Sequence, residues 1–257
     1  MNCNICGRIS TKIFQRTILN KYHIDYFQCS SCGFIQTEEP YWLDDAYHDS
    51  LNIEDTGIVS RNILFAKRTS AIIFFYFKKN GSFTDLGGGT GLFVRLMRDY
   101  GFDFFWEDPF TKNVYARGFE YDKNNQSNIE LVTSFECFEH FVDPLKEIEK
   151  MLSISPSILL STVPFIDGTP DPETWEYYSF GSGQHISLYS LSSLAFIAKK
   201  YNLNFYTNKK SFHLMTNKTL NNNVFNWLLK ASYITMPGLI KPWMKNKNKS
   251  DINIVKR

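Results

Sequence analysis

No apolar run in this chain is long enough to cross a bilayer. The longest, Ala71 to Phe77, has seven residues, against the roughly 20 that a spanning helix needs. Neither sign of charge is in excess: 28 Lys and Arg against 26 Asp and Glu leave a net +2, which argues against an electrostatic grip on nucleic acid. Cysteine is scarce, five in 257 residues, so the chain is not a small scaffold stapled by disulfides. Internal repeats and low-complexity tracts are absent, and no signal peptide is read ahead of Cys3, so a cytoplasmic location is expected. Hydrophobic residues make up 43% of the chain, enough for a sizeable core. The length suits one α/β domain with a small module.

Against these absences, one stretch is dense with glycine: Asp85-Leu86-Gly87-Gly88-Gly89-Thr90-Gly91. Ser82 to Leu86 reads as a strand and Leu92 to Met97 as an amphipathic helix. Strand, glycine turn and helix form the geometry in which an open α/β sheet binds a nucleotide-like cofactor. Glycine is needed there because the backbone turns sharply and a ligand comes close. Leu92 stands where the dinucleotide fingerprint wants its last glycine, and the chain has no G-x-x-x-x-G-K-[ST] string for a nucleoside triphosphate. A second strand, Phe102 to Trp106, runs into Glu107-Asp108-Pro109. An acid at that edge, about 20 residues past the glycines, can accept both hydroxyls of a ribose. A third strand begins at Ile129 and leads into Glu136-Cys137-Phe138-Glu139-His140; the Glu139-His140 pair and Asp143-Pro144 then open a helix over Leu145 to Leu152. A further strand, Ser157 to Val163, ends at Pro164.

Four of the five cysteines form two knuckles, Cys3-Asn4-Ile5-Cys6-Gly7 and Cys29-Ser30-Ser31-Cys32-Gly33, with 22 residues between Cys6 and Cys29. Such spacing offers four thiolates to a tetrahedral ion and is read as a structural zinc ribbon, with strands Lys12 to Leu19 and Tyr22 to Gln28 around an Asn20-Lys21 turn. All four ligands would come from protein, so this zinc is expected to be structural. Cys137 is expected to be a buried small hydrophobe.

Together these motifs resemble the class I S-adenosylmethionine-dependent methyltransferases. D-x-G-x-G-x-G is similar to their first motif, and E-x-x-E-H-x-x-D-P to their fourth-strand motif. The resemblance implies a Rossmann-like, seven-stranded α/β sheet carrying a small amino-terminal zinc ribbon with four cysteine ligands. It implies S-adenosylmethionine as cofactor, bound by Asp85, Gly87, Gly88, Gly89, Gly91, Asp108 and Glu136. The family usually sets the ribose acid directly before a small or proline residue, which favours Asp108 over Glu107. Trp106 departs from the small residue of many relatives.

The boundaries read as zinc ribbon 1–40, helical lead-in 41–80, methyltransferase domain 81–217, and carboxyl-terminal helix with basic tail 218–257. The tail, Lys241 to Lys249 with Trp243, is expected to be a solvated terminus; a weak membrane-surface contact is the alternative.

A long connection from Phe165 to His185 lies where ligands sit in open α/β folds, and beyond it Ser190 is read as the N-cap of a helix from Leu191 to Tyr201. Its aromatics and acids suit a sugar, with Trp175, Tyr177, Tyr178 and Gln184 as candidate substrate contacts. W-x-Y-Y followed by G-Q-H-I-S-x-Y-S is similar to a bacterial methyltransferase group associated with surface-polysaccharide synthesis. Wider relatives, the zinc-ribbon nucleotide-sugar C-methyltransferases, carry Tyr-Glu-His where this chain has Gly183-Gln184-His185. The histidine matches and the other two do not, which favours O-methylation of a sugar hydroxyl over C-methylation. His185 is the candidate general base, with His140 second and Glu139 beside it. Methylation of a lipid or quinone-type molecule remains open. A nucleic-acid methyltransferase and a non-catalytic scaffold are the less favoured readings. The partners expected are a small-molecule or glycan acceptor and no nucleic acid. A second copy of the chain or a glycosyltransferase is a further candidate partner.

Overall fold

The computed structural model describes residues 1–48, 55–126, 128–166, 168–234 and 244–256. Asp167 of the long connection, and Lys241, Pro242 and Trp243 of the tail, lie outside these residues. Residues 1–52, 136–150 and 160–217 gather into one compact unit, and residues 53–135, 151–159 and 218–257 into a second.

In the first unit, β1 (Ser10–Ile18) and β2 (Tyr22–Cys29) form the hairpin expected of the ribbon. Leu19 and Asn20 take left-handed backbone angles at its turn. Two short strands extend the hairpin, β3 (Ile35–Thr37) and β8 (Ser187–Leu188), in the order β1-β2-β3-β8. Neither was legible, because each is too short to show an alternating pattern. The core beneath holds Ile18, Ile24, Tyr26, Ile35, Trp42, Phe165, Tyr178, Ile186 and Leu188. The unit also holds a short helix α1 (Leu43–Ala46) and the first turns, to Lys150, of α4 (Pro144–Ile154), which begins on proline, as the first helical position favours. Helix α5 (Leu191–Lys200) opens where Ser190 Oγ accepts the Ser193 N–H at 3.0 Å and ends on Lys199 and Lys200.

The second unit is built on β4 (Ser82–Leu86), β5 (Asp103–Glu107) and β6 (Ile129–Phe135), with β4 parallel to both neighbours. Helices α2 (Ile58–Tyr76), α3 (Leu92–Asp99), α6 (Asn222–Ile234) and α7 (Asn248–Val255) complete it. Its core is a chain of phenylalanines. Phe83 stacks on Phe104 at 5.1 Å, and Phe93 meets Phe104 at 5.5 Å and Phe135 at 5.0 Å. Phe83, Phe93 and Phe104 are buried, and each such ring contributes roughly 1.5–3 kcal/mol.

Three more strands are β7 (Ser157–Ser161), β9 (Asn204–Thr207) and β10 (Phe212–Thr216). With them the larger sheet has six strands among the described residues, in the order β5-β4-β6-β7-β10-β9. The expected seventh strand is not among them. Beside β5, a single parallel bridge joins Trp106 to Glu120. The following Tyr121-Asp122-Lys123-Asn124-Asn125-Gln126 has no apolar alternation, so nothing there would bury a strand face.

The tail also differs from expectation. From Met244 to Lys256 it is not a loose end: α7 places Asp251 in a buried ion pair with Arg98, whose Nε and Nη2 donate to the carboxylate at 2.8 Å each. Arg95 adds a second cation at 2.9 Å. The Arg98 guanidinium also lies 3.7 Å above the Phe119 ring. The lysine-rich run obscured the single acid that pins the segment. No helix among the described residues is long and apolar enough to cross a membrane.

Candidate functional site

In the second unit, the glycine turn is held from β5. Gly87 and Gly88 donate their amides to Glu107 O at 2.9 and 3.2 Å. Trp106 Nε1–H donates to Gly89 O at 2.9 Å. A Cβ on Gly88 would come within 2.6 Å of Trp106 Cδ1, and one on Gly91 within 2.7 Å of Asn113 Oδ1. Gly91 also has φ 82°, a left-handed angle, at the N-cap of α3. In sequence Trp106 reads as a departure; the structure makes it a clamp on the loop. Only the register, Asp85 opposite Trp106, reveals this.

Asp108 sits at the edge where an acid was expected, but its hydrogen-bond partners are backbone amides. Gly89 N–H donates to Oδ2 at 2.8 Å, and the amides of Phe110 and Thr111 donate to Oδ1 at 2.8 Å each. It therefore ties the glycine loop to the turn after β5. Asp85 is fully buried and receives a hydrogen bond from Thr133 Oγ1, its register partner on β6. Burial raises its pKa to about 7, Thr133 opposes the rise, and the Asp108 charge adds to it. Thr133 was missed because its pairing with Asp85 depends on the sheet register.

In the first unit, Glu136, the residue after β6, adopts φ 53°. A non-glycine residue there is uncommon and is seen most at functional sites. Ser161 holds it from two sides: the Glu136 N–H donates to Ser161 Oγ at 2.8 Å, and Ser161 Oγ–H donates to Glu136 Oε1 at 2.6 Å. Glu139 and His140 do not open α4 as expected. They form their own 3₁₀ turn, Phe138–His140, and Asp143 is the residue that caps α4, accepting the Lys146 N–H at 3.2 Å. Cys137 is half-buried at the start of this turn rather than in the core.

The turn brings Glu139 and His140 to His185. The two imidazoles meet edge to face at 5.1 Å, and His185 packs on Tyr177 at 4.7 Å. His140 Nδ1–H donates to Gln184 O at 3.1 Å, and His185 Nδ1–H donates to Tyr177 O at 2.6 Å. These bonds fix both tautomers and leave Nε2 of each ring with a free lone pair. Burial, with a smaller contribution from the His185 charge, pushes His140 down to about 3, so this ring is neutral at physiological pH.

The remaining candidates divide. Tyr177 Oη lies 3.1 Å from Thr162 Oγ1, and burial beside Glu139 and Glu136 pushes this phenol well up. Gln184 is half-buried and donates its amide to Ala46 O at 2.7 Å. Trp175 is half-buried, edge-on to Tyr178 at 4.9 Å. Tyr178 is a correction: it is 1% exposed inside the ribbon core, with Oη donating to Pro170 O at 3.1 Å. It is a packing residue, because its aromatic area is worth more buried than free.

The four ribbon cysteines converge, each Sγ within 4.8 Å of the others, and none is in a disulfide. Cys3 and Cys32 are 3.6 Å apart and Cys6 and Cys29 3.4 Å. Gly7 and Gly33, at φ 72° and 76°, shape the two knuckles, and Ile5 N–H points at Cys3 Sγ, 3.4 Å away. The Cys32 thiol beside it pulls Cys3 down to about 5. Four convergent sulfurs with amides aimed at one of them fit a tetrahedral ion.

Comparison with known proteins gives a family profile described as "Methyltransferase domain", matching residues 60–208. No curated protein matches the chain by sequence. Among solved structures, an O-methyltransferase family protein from Burkholderia thailandensis is 13% identical, with TM-score 0.49 over 69% of this chain and 64% of that one. CalO1, a methyltransferase in calicheamicin biosynthesis solved with SAH bound, is 13% identical, with TM-score 0.45 over 69% of this chain and 60% of that one. The plantazolicin methyltransferase BpumL, in complex with SAH, is 13% identical, with TM-score 0.46 over 70% of this chain and 95% of that one. The chain thus spans less than two thirds of the length of the first two.

Proposed function

The chain belongs to the methyltransferase-domain family, and on that premise we propose that it moves the methyl group of S-adenosylmethionine to a sugar hydroxyl, with His185 receiving the hydroxyl proton. The strand, glycine turn and helix support that cofactor, with the buried acid Asp85 at the strand tip suiting a ligand with a cationic amino-acid end; the amides of Gly87, Gly88, Gly89 and Gly91 are engaged in shaping the loop. The sulfonium is itself the leaving group. As the new oxygen–carbon bond forms, the carbon–sulfur pair returns to sulfur and the hydroxyl proton must leave. A positioned imidazole taking that proton contributes about 10²–10⁴-fold.

The observation that carries the role of His185 is its anchored Nδ1, which leaves Nε2 as the basic nitrogen. A sugar acceptor is supported by the half-buried Trp175 and the exposed Asp171 and Glu176 of the same connection. O- rather than C-methylation is supported at position 183. Gly183 has φ 63°, a Cβ there would stand 3.1 Å from Leu19 Cγ, and its carbonyl accepts Trp42 Nε1–H at 2.8 Å. A tyrosine at this position, as C-methylating relatives carry, would be strained in its backbone and crowded against Leu19, which supports the O-methylation reading. For the four-cysteine cluster we propose a structural zinc.

In single-turnover methyl transfer to a panel of nucleotide sugars, glycans and lipids, we expect sugar hydroxyls to react. His185→Ala should slow the step by about 10²–10⁴-fold with cofactor affinity kept. Wild-type rates in the variant would remove His185 from the chemistry, and reaction with lipids alone would overturn the sugar assignment.

A further inference from the structure

We propose that Glu139, His140 and His185 form a binding site for a divalent first-row transition-metal ion, distinct from the four-cysteine cluster. One ligand atom from each of the three lies within 4.8 Å of the other two. Ligands that share an ion at about 2.0–2.2 Å each stand no farther apart than roughly twice that distance, so a small closure completes the site.

Three observations point to an ion rather than to a hydrogen-bonded triad. Glu139 is 1% exposed, yet its Oε2 has no hydrogen-bond partner. A buried carboxylate oxygen without a partner costs several kcal/mol unless a cation meets it. Among the described residues, no hydrogen bond or ion pair joins that carboxylate to either imidazole, so the histidines do not already neutralise it. Finally, both rings give Nδ1–H to a backbone carbonyl, Gln184 O and Tyr177 O. Metal-binding histidines are characteristically held this way, with the second nitrogen fixed so that the first presents its lone pair.

Two imidazoles and one carboxylate suit zinc, iron(II), cobalt(II) or manganese(II), and leave coordination positions open. Resting on the methyl-transfer reading, this deepens it: an acceptor hydroxyl bound to the ion would be acidified and release its proton to water. The alkoxide would then take the methyl group as the carbon–sulfur bond breaks; His185 is the base in the metal-free protein and a ligand once the ion is bound.

The test is cobalt(II) titration of the zinc-loaded full chain, followed by calorimetry and visible absorption. We expect one further equivalent to bind with the ribbon zinc retained. Its spectrum should show only weak visible bands, without the intense near-ultraviolet band of a thiolate site. Glu139→Gln and His185→Ala should each weaken this equivalent at least tenfold; His185 is half-buried, so its truncation is the milder of the two for the fold. No further equivalent up to millimolar cobalt(II), or one that both variants keep, would overturn the proposal. S-adenosylhomocysteine titrated into the same samples separates the two readings. If it fails to bind the wild-type protein, the methyl-transfer reading fails while the metal result stands.

Discussion

Asp85 illustrates how one buried group can set a pH dependence. Its pKa in the fold is about 7, against 3.8 in the unfolded chain. The native state therefore holds more protons than the unfolded state across that window. The stability contributed by this group is complete below the lower value and is lost as the pH rises toward 7. Binding should run the other way, because a ligand ammonium group favours the ionised carboxylate. Affinity for S-adenosylhomocysteine should rise between pH 5 and 7 and then level off, and Asp85→Asn should flatten the profile; calorimetry across pH checks it. Gly88 makes a second prediction at this scale. With Trp106 Cδ1 2.6 Å from a Cβ at this position, Gly88→Ala should destabilise by about 1–3 kcal/mol and weaken cofactor binding at least tenfold. Adding Trp106→Leu should restore part of both. Urea unfolding of the two single variants and the double variant measures the coupling.

The contact between α3 and α7 is the most consequential pairing of elements. Arg98 is 2% exposed and its partner Asp251 4%. Removing one partner of a buried pair leaves the other charge uncompensated, so Asp251→Ala should cost about 3–5 kcal/mol, read as a lower urea midpoint with an unchanged slope. Burial alone would raise Asp251, but hydrogen bonds and charge from Arg98, then Arg95, bring it below its usual 3.8. Its contribution is therefore full above that value and disappears as the pH falls through the lower folded one. The stability difference between wild type and Asp251→Ala should shrink when unfolding is repeated at pH 3. At the level of elements, much of the fold was legible. Strands β4, β5 and β6 and helices α3 and α5 lie close to where their apolar periods and caps place them. A seventh strand is not found among the described residues and the end of the tail is held rather than loose, for related reasons. A strand exists only if a neighbour buries one of its faces, and a basic tail is held only if an acid within it finds a buried arginine.

For the whole molecule, the two compact units predict two responses to metal loss. The ribbon cysteines share a unit with the connection that carries His185. Ser190 Oγ and Ser192 Oγ both donate to Cys32 O, at 2.7 and 3.0 Å. With zinc in the cluster as proposed, stripping it with a thiol reagent and chelator should therefore raise hydrogen exchange at least 10²-fold in β1, β2, β3 and β8, an opening cheaper by about 2.7 kcal/mol. Strands β4 and β5, built on the phenylalanine core, should stay protected. Equal loss of protection in both units would show that the ribbon metal supports the entire chain.

The sequence by itself determined what repeats over a few residues: the glycine turn after a strand, the paired cysteine knuckles, the helix starts at Ser190 and Pro144. Each is decided by local backbone geometry or by chemistry at fixed spacing. Tertiary structure decided the contacts between distant residues. Arg98 finds Asp251 153 positions away, and His140 gives its Nδ1–H to a carbonyl 44 positions away. Tyr178 became core rather than binding surface by the same kind of choice. A side chain's charge state and free lone pairs depend on what surrounds it, and those surroundings are assembled only when the chain folds.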